Sequence, residues 1–231
     1  MARVKIREFD AKNLLLKNLK QEYLAVLVDP DTDLNILSQQ HPWLLEKKLV
    51  IKPDQLFGKR GKLGLVLLNA DFQQVKEYLQ QRLNQEITIG KVTDKLTHFL
   101  IEPFIPHQKE YYLSITSERD YDIIHFSEEG GINVEENWHK VTKIEVQTLT
   151  EPDLQKLNAP ERIKHFIKET FTLFKQNHFC YLEFNPFTID QNNNIILIDT
   201  VAQVDSCGIT LLFPKPFGRK SHPEEEFIAA L

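Results

Sequence analysis

Cysteine is nearly missing from this chain: Cys180 and Cys207 are the only two in 231 residues. They form no C-x-x-C pair and are too few for a disulfide framework, so a reducing, cytoplasmic setting is expected. An excess of basic charge is missing too, with 28 lysines and arginines against 33 acids and a net charge of -5. That removes the electrostatic case for a nucleic-acid partner. No apolar run reaches the roughly 20 residues of a membrane span. The stretch from Arg3 to Asp10 is charged where an export signal needs an apolar core. Neither a membrane nor a secretory route is expected. The phosphate-loop pattern G-x-x-x-x-G-K-[ST], the dinucleotide fingerprint G-x-G-x-x-G and the zinc-helix pattern H-E-x-x-H are also absent. What remains is ordinary globular composition, in a chain long enough for one large or two small domains with a sizeable core.

Glycine is sparse, eight in all, yet three of them fall at 58, 61 and 64. The segment Lys52-Pro-Asp-Gln-Leu-Phe-Gly-Lys-Arg-Gly-Lys-Leu-Gly64 also carries four cations, Lys52, Lys59, Arg60 and Lys62. It lies between two apolar runs, Leu49-Val-Ile51 and Leu65-Val-Leu-Leu68, which read as strands. Glycine lets backbone N–H groups come close to an anion, and neighbouring cations neutralise it, so this is a phosphate-handling arrangement. Taken alone, its default reading is an ordinary basic hairpin turn.

Hydrophobic spacing sets out the elements. Asp10 reads as the cap of a helix through Leu19, with Leu14, Leu15 and Leu19 as its apolar face. Asp71 opens a clearer helix, in which Phe72, Val75, Leu79 and Leu83 recur at helical spacing before a strand at Ile87-Thr-Ile89. Strands are expected at Phe99–Ile105, Tyr111–Thr116, Tyr121–Phe126 and Val141–Val146, with Glu129-Gly-Gly131 as a turn. Pro160 introduces a helix whose stripe is Ile163, Phe166, Ile167, Phe171 and Phe174. Two further strands, Tyr181–Asn185 and Ile195–Asp199, read as a hairpin joined by the polar turn Asp190-Gln-Asn-Asn-Asn194.

That last pair carries a second piece of chemistry. Alternation puts Tyr181, Glu183 and Asn185 on one face, with Leu182 and Phe184 on the other, and the next strand is apolar until it delivers Asp199. Carboxylate and amide oxygens backed by an apolar face suit a hard cation such as Mg²⁺, which takes one or two protein oxygens and completes its shell with phosphate and water. The plain alternative is the wet side of an edge strand.

Seven segments, in order, resemble the ATP-grasp family, and within it the N-terminal part of ATP-citrate lyases more closely than the β subunit of succinyl-CoA synthetases. They are His41-Pro-Trp-Leu44, Val50-Ile-Lys-Pro-Asp-Gln-Leu56, Arg60-Gly-Lys-Leu-Gly-Leu-Val66, Phe99-Leu-Ile-Glu-Pro-Phe-Ile-Pro-His107, Glu129-Gly-Gly131, Tyr181-Leu-Glu-Phe-Asn-Pro186 and Pro216-Phe-Gly-Arg219. The resemblance spans nearly the whole chain. It implies an α+β fold, an ATP-grasp region over residues 1–231 with two closely interleaved lobes and ATP bound between them.

It further implies that Lys52 contacts the nucleotide phosphates, with Lys59, Arg60 and Gly61 in the loop over them. Glu102, Pro103 and Ile105 would border the adenine, Glu110 would hold the ribose, and Asn185 and Asp199 would bind magnesium. In this family the phosphoryl group passes through a histidine to citrate, and CoA then yields citryl-CoA, which is cleaved to acetyl-CoA and oxaloacetate. None of the eight histidines lies in a segment resembling the phosphohistidine loop. No catalytic residue of that type is therefore expected here. The phosphohistidine, CoA-binding and lyase functions are expected on a complementary subunit or on further domains, and a downstream citrate-binding domain is expected to be missing from this chain. Gln203 stands where relatives usually carry lysine. A synthetase subunit without the lyase step, or a non-catalytic nucleotide-binding module, are the other readings.

Overall fold

The computed structural model describes residues 3–58, 60–89, 92–131, 134, 136–206 and 208. Lys59, Cys207 and the 216–219 segment named above lie outside the described residues. In chain order the elements are β1 (Arg3–Ile6), α1 (Glu8–Asn18), β2 (Val26–Val28), α2 (Leu34–Gln40), α3 (Trp43–Glu46), β3 (Leu49–Pro53), β4 (Leu67–Ala70), α4 (Phe72–Arg82), β5 (Glu86–Ile89) and β6 (Val92–Lys95). They continue with β7 (Phe99–Pro103), β8 (Tyr111–Ser117), β9 (Tyr121–Ser127), β10 (Thr142–Gln147), α5 (Glu161–Gln176), β11 (Phe179–Ile189), β12 (Ile195–Leu197) and β13 (Thr200–Asp205). The fold is α+β, as expected.

Two antiparallel sheets organise it. The larger runs β1-β13-β11-β8-β9-β10, with β12 added on β11, and the smaller runs β2-β7-β3-β4; β5 and β6 form a separate ribbon. Each sheet has its own core. α1 and α5 cover the large sheet, burying Leu15, Phe166, Phe174, Phe184 and Phe187 among others, while Val75 and Leu79 of α4 pack on Leu49, Ile51, Phe99 and Ile101 of the small one. The chain is interleaved between them, because β1 pairs with β13 (Arg3↔Asp205) and so returns the first strand to the last. No helix among the described residues is long and apolar enough to cross a membrane.

The helical stripes account for α4 and α5. Every residue expected on the α5 stripe is buried, and each such side chain contributes roughly 1.5–3 kcal/mol on leaving water. Asp71 caps α4 through a reciprocal pair: its carboxylate accepts from Gln74 N at 2.9 Å, and Gln74 Oε1 accepts from Asp71 N at 2.9 Å.

Two expectations need correction. α1 begins at Glu8 rather than at an Asp10 cap, and Asp10 sits in its first turn. The capping oxygens come from another element: Asp54, just past β3, accepts from Glu8 N at 2.8 Å and Phe9 N at 3.0 Å. A local pattern cannot reveal a cap donated from 46 residues away. The hairpin is also redrawn. β12 pairs with Phe187–Ile189, and the first half of β11 pairs instead with β13 and β8. The register breaks between Phe184 and Phe187, around Pro186, which has no N–H to offer a ladder. Asp199 therefore lies between two short strands rather than at the end of one.

Candidate functional site

A cavity of about 1190 Å³ opens between the faces of the two sheets turned away from their cores. Lys52, Arg60, Gly61 and Glu102 line it, as do Pro103, Ile105, Glu110, Asn185 and Asp199. Strand alternation explains how. In the β3–β7 pair, Val50 lies opposite Glu102 and Ile51 opposite Ile101, so Ile51 and Ile101 face the core while Val50, Lys52 and Glu102 face the cavity. On the large sheet Leu182 and Phe184 are core, leaving Glu183 and Asn185 on the cavity side.

The charged side chains form one connected cluster. Lys52 Nζ lies 2.7 Å from Glu8 Oε1 and 3.2 Å from Glu102 Oε2, and it donates to the Ile198 carbonyl at 2.6 Å. Arg60 donates to the Pro53 carbonyl at 2.8 Å and to Glu8 Oε2 at 2.6 Å, and it also pairs with Asp199. Lys12, wholly buried, bridges Glu8 at 2.7 Å and Glu102 at 2.8 Å and donates to the same Ile198 carbonyl at 3.1 Å. Tyr23 Oη donates to Glu102 at 3.0 Å.

Protonation follows from these neighbours. Burial pushes the Glu8 carboxyl up, but Lys12, Lys52 and Arg60 outweigh it and hold Glu8 well below the usual carboxylate range. Burial pulls Lys52 down, and Glu102, Glu8 and Asp199 more than reverse this, so the ammonium stays charged. Arg60 is raised likewise, burial being overcome by Glu8, Asp199 and Asp54. Asp54 moves the other way: burial and the Glu8 charge push it up to about 6.

Beyond this cluster, His107 fastens Glu110, with Nε2 3.0 Å from Glu110 Oε1 and Nδ1 2.8 Å from the Ile105 carbonyl. Gly131, at φ +76°, closes the same wall; its N–H donates to Asn185 Oδ1 at 2.8 Å, and a Cβ there would fall 2.3 Å from Glu110 Oε2. Only glycine combines that backbone with that approach. Asn185 and Asp199 meet through the backbone, since Asn185 N donates to the Asp199 carbonyl at 3.0 Å while Asp199 N donates to the Pro186 carbonyl at 3.1 Å. Glu183 beside them takes the hydroxyl of Tyr181, and burial with the Glu183 charge pushes the neighbouring Tyr112 up to about 12.

Such a cavity, with buried cations set beside a carboxylate and an amide, suits a phosphorylated ligand. Comparison with known proteins decides the family. The model of the ATP-citrate synthase ATP-grasp domain matches residues 2–213. The chain belongs to that family. It is 44% identical to an ATP-citrate synthase subunit alpha chain of Oryza sativa subsp. japonica, over 99% of this chain and 62% of the relative. It is 39% identical to ATP-citrate synthase of Homo sapiens, over 98% of this chain and 23% of that one. Among solved structures, ATP citrate lyase from Methanothrix soehngenii, determined with citrate and coenzyme A, superimposes with a TM-score of 0.84 at 40% identity, over 99% of this chain and 60% of its own. This member of the ATP-grasp family thus spans less than two thirds of the length of the relatives it matches.

Magnesium fits the donors at hand. Asn185 and Asp199 offer hard oxygens at the cavity wall, and no group of three or more His, Cys, Asp or Glu side chains suited to a metal occurs among the described residues. Two protein oxygens, with phosphate and water for the rest, is a normal magnesium set, without the sulfur and imidazole ligands of a zinc or copper site.

Sequence reasoning missed Glu8 and Lys12. They stand at i,i+4 on α1, a spacing common in solvated surface pairs. The signal available was their alignment with Leu15, Leu16 and Leu19, which puts both charges on the stripe that faces inward.

Proposed function

We propose that this chain is the magnesium-ATP-binding, phosphoryl-donating part of an ATP-citrate lyase. The observation that carries the reading is the convergence of Lys52, Arg60, Glu110, Asn185 and Asp199, drawn from sequence positions far apart, on one cavity. Lys52 and Arg60 orient and neutralise the phosphates; Glu110, held by His107, takes the ribose hydroxyls; Pro103 and Ile105 border the base. Bound magnesium would supply further charge neutralisation on the phosphate oxygens, with Asn185 and Asp199 as its holders. The two lobes are the bodies around the two cores, with the nucleotide between them. The phosphoryl group then goes to a histidine on another domain or subunit, which passes it to citrate ahead of CoA. A citryl-CoA or succinyl-CoA synthetase subunit would use the same residues. The likeness to ATP-citrate synthases over the whole chain favours the lyase.

Calorimetric titration of the chain with magnesium-ATP tests this. Binding is expected in the wild type. Asp199→Ala is expected to weaken it without loss of the folded circular-dichroism spectrum, and unchanged affinity in that variant would remove the metal assignment.

A further inference from the structure

A pocket for a triphosphate should be rich in positive charge, and this one is not. Among its described lining residues, seven carboxylates face only four cations, Lys5, Lys52, Arg60 and Lys62. Around Lys52 and Arg60 the ions balance: Glu8, Glu102 and Asp199 are paired with Lys12, Lys52 and Arg60, so the cluster offers no net positive charge. The two best-placed cations are also occupied. An ammonium has three N–H donors, and Lys52 already has Glu8, Glu102 and the Ile198 carbonyl as partners. Arg60 holds Glu8 and Asp199 together. Glu8 is the common element: it joins Lys12, Lys52 and Arg60, with a side chain only 1% exposed. Glu102, by contrast, reaches Lys12 and Lys52.

We propose that Glu8 sets the ionic form of nucleotide that the cavity accepts, disfavouring the free triphosphate and admitting its magnesium complex; this rests on the nucleotide reading above. A free triphosphate meets a cluster with no net positive charge, in which the three N–H donors of Lys52 are engaged. The magnesium complex arrives with part of its charge cancelled, and it gives Asp199 and Asn185 a cation to hold. Glu8 therefore acts as a specificity-determining residue, cancelling positive charge that would otherwise capture any polyphosphate. Replacing its carboxylate by the isosteric amide loosens the hold on Lys52 and Arg60 and leaves the cluster with one net positive charge. A merely structural role predicts the opposite sign, a parallel loss for every form of the ligand.

The test titrates the 231-residue chain with ATP, once in magnesium and once in chelator, comparing wild type with Glu8→Gln and checking folding by circular dichroism. The wild type is expected to bind at least about tenfold more tightly with magnesium. Glu8→Gln is expected to raise metal-free affinity by about tenfold and narrow that gap, the order for one unit charge several ångströms from a phosphate at intermediate dielectric. Equal weakening in both conditions overturns the proposal, as does a wild type that binds both forms alike. A wild type that binds neither form overturns the nucleotide reading itself. Asp199→Asn, whose side chain is 40% exposed, removes the same unit of charge beside Arg60 and serves if Glu8→Gln does not fold. Metal-free affinity should then rise while magnesium-ATP affinity falls; loss of both overturns the inference.

Discussion

Lys52 and Asp54 stand two residues apart and do different work. Lys52 is a positioned cation, and charge-assisted hydrogen bonds contribute roughly 1.5–3 kcal/mol each. Lys52→Ala should therefore lower ATP affinity by about one to two orders of magnitude and leave adenosine nearly unaffected; equal losses for both ligands would make the lysine a support of the fold. Asp54 carries the pH dependence. Its carboxyl titrates at about 6 in the folded chain against 3.8 ordinarily, so between about pH 4 and 6 the folded state binds more protons than the unfolded one. Stability contributed by this group must then fall as pH rises through that window, by about 3 kcal/mol in all. Glu8 works in the opposite sense, its stabilisation being lost as pH falls below the ordinary carboxylate range. Between pH 4 and 6 the urea midpoint should fall with rising pH relative to Asp54→Asn, the opposing contribution of His98 and His125, whose imidazoles burial holds down, being common to both proteins. An unchanged slope would show that the Asp54 carboxyl is not held up as described.

At the scale of elements, legibility followed the range of the forces involved. α4 and α5 could be read in advance because a stripe at helical spacing and a cap three residues from its partner are local features. Asp71→Ala should cost about 1 kcal/mol in urea unfolding and leave nucleotide affinity unchanged, since α4 packs behind the small sheet. A shift in ATP binding would mean that the helix communicates with the cavity. α1 could be read only in part, because its N-terminal N–H groups are satisfied by Asp54 and not by a neighbour. β11 was read as half its length: a strand crossing Pro186 with different partners on either side leaves no simple period in sequence. β1, β2, β6 and β13 are short strands defined by pairing, and their sequences alone did not mark them.

For the whole molecule, the proposed division of labour makes a clear prediction. The cavity gathers the groups proposed to hold the nucleotide donor, while none of the eight histidines lies in a segment resembling a phosphohistidine loop. Phosphoryl transfer needs donor and acceptor in line at contact distance. Assayed by itself with citrate, CoA and labelled ATP, the chain should bind magnesium-ATP yet form no acetyl-CoA and no phosphohistidine; a complementing subunit should take up the label. Acid-labile phosphate on one of this chain's own histidines would overturn that division.

The sequence by itself determined the two stripe helices and most strands of the sheets, because strand and helix periods are written within a dozen residues, and its family segments carried part of the cavity lining, such as Lys52, Arg60 and Asn185. Tertiary structure alone decided that Glu8 and Lys12 are buried charges, that Lys52 and Arg60 already hold carboxylates, and that Asn185 and Asp199 meet through backbone hydrogen bonds around Pro186. The reason is physical: an ion cluster has no period. Lys12 and Ile198 are 186 positions apart, and only the packing of α1 on the large sheet brings that lysine to that carbonyl.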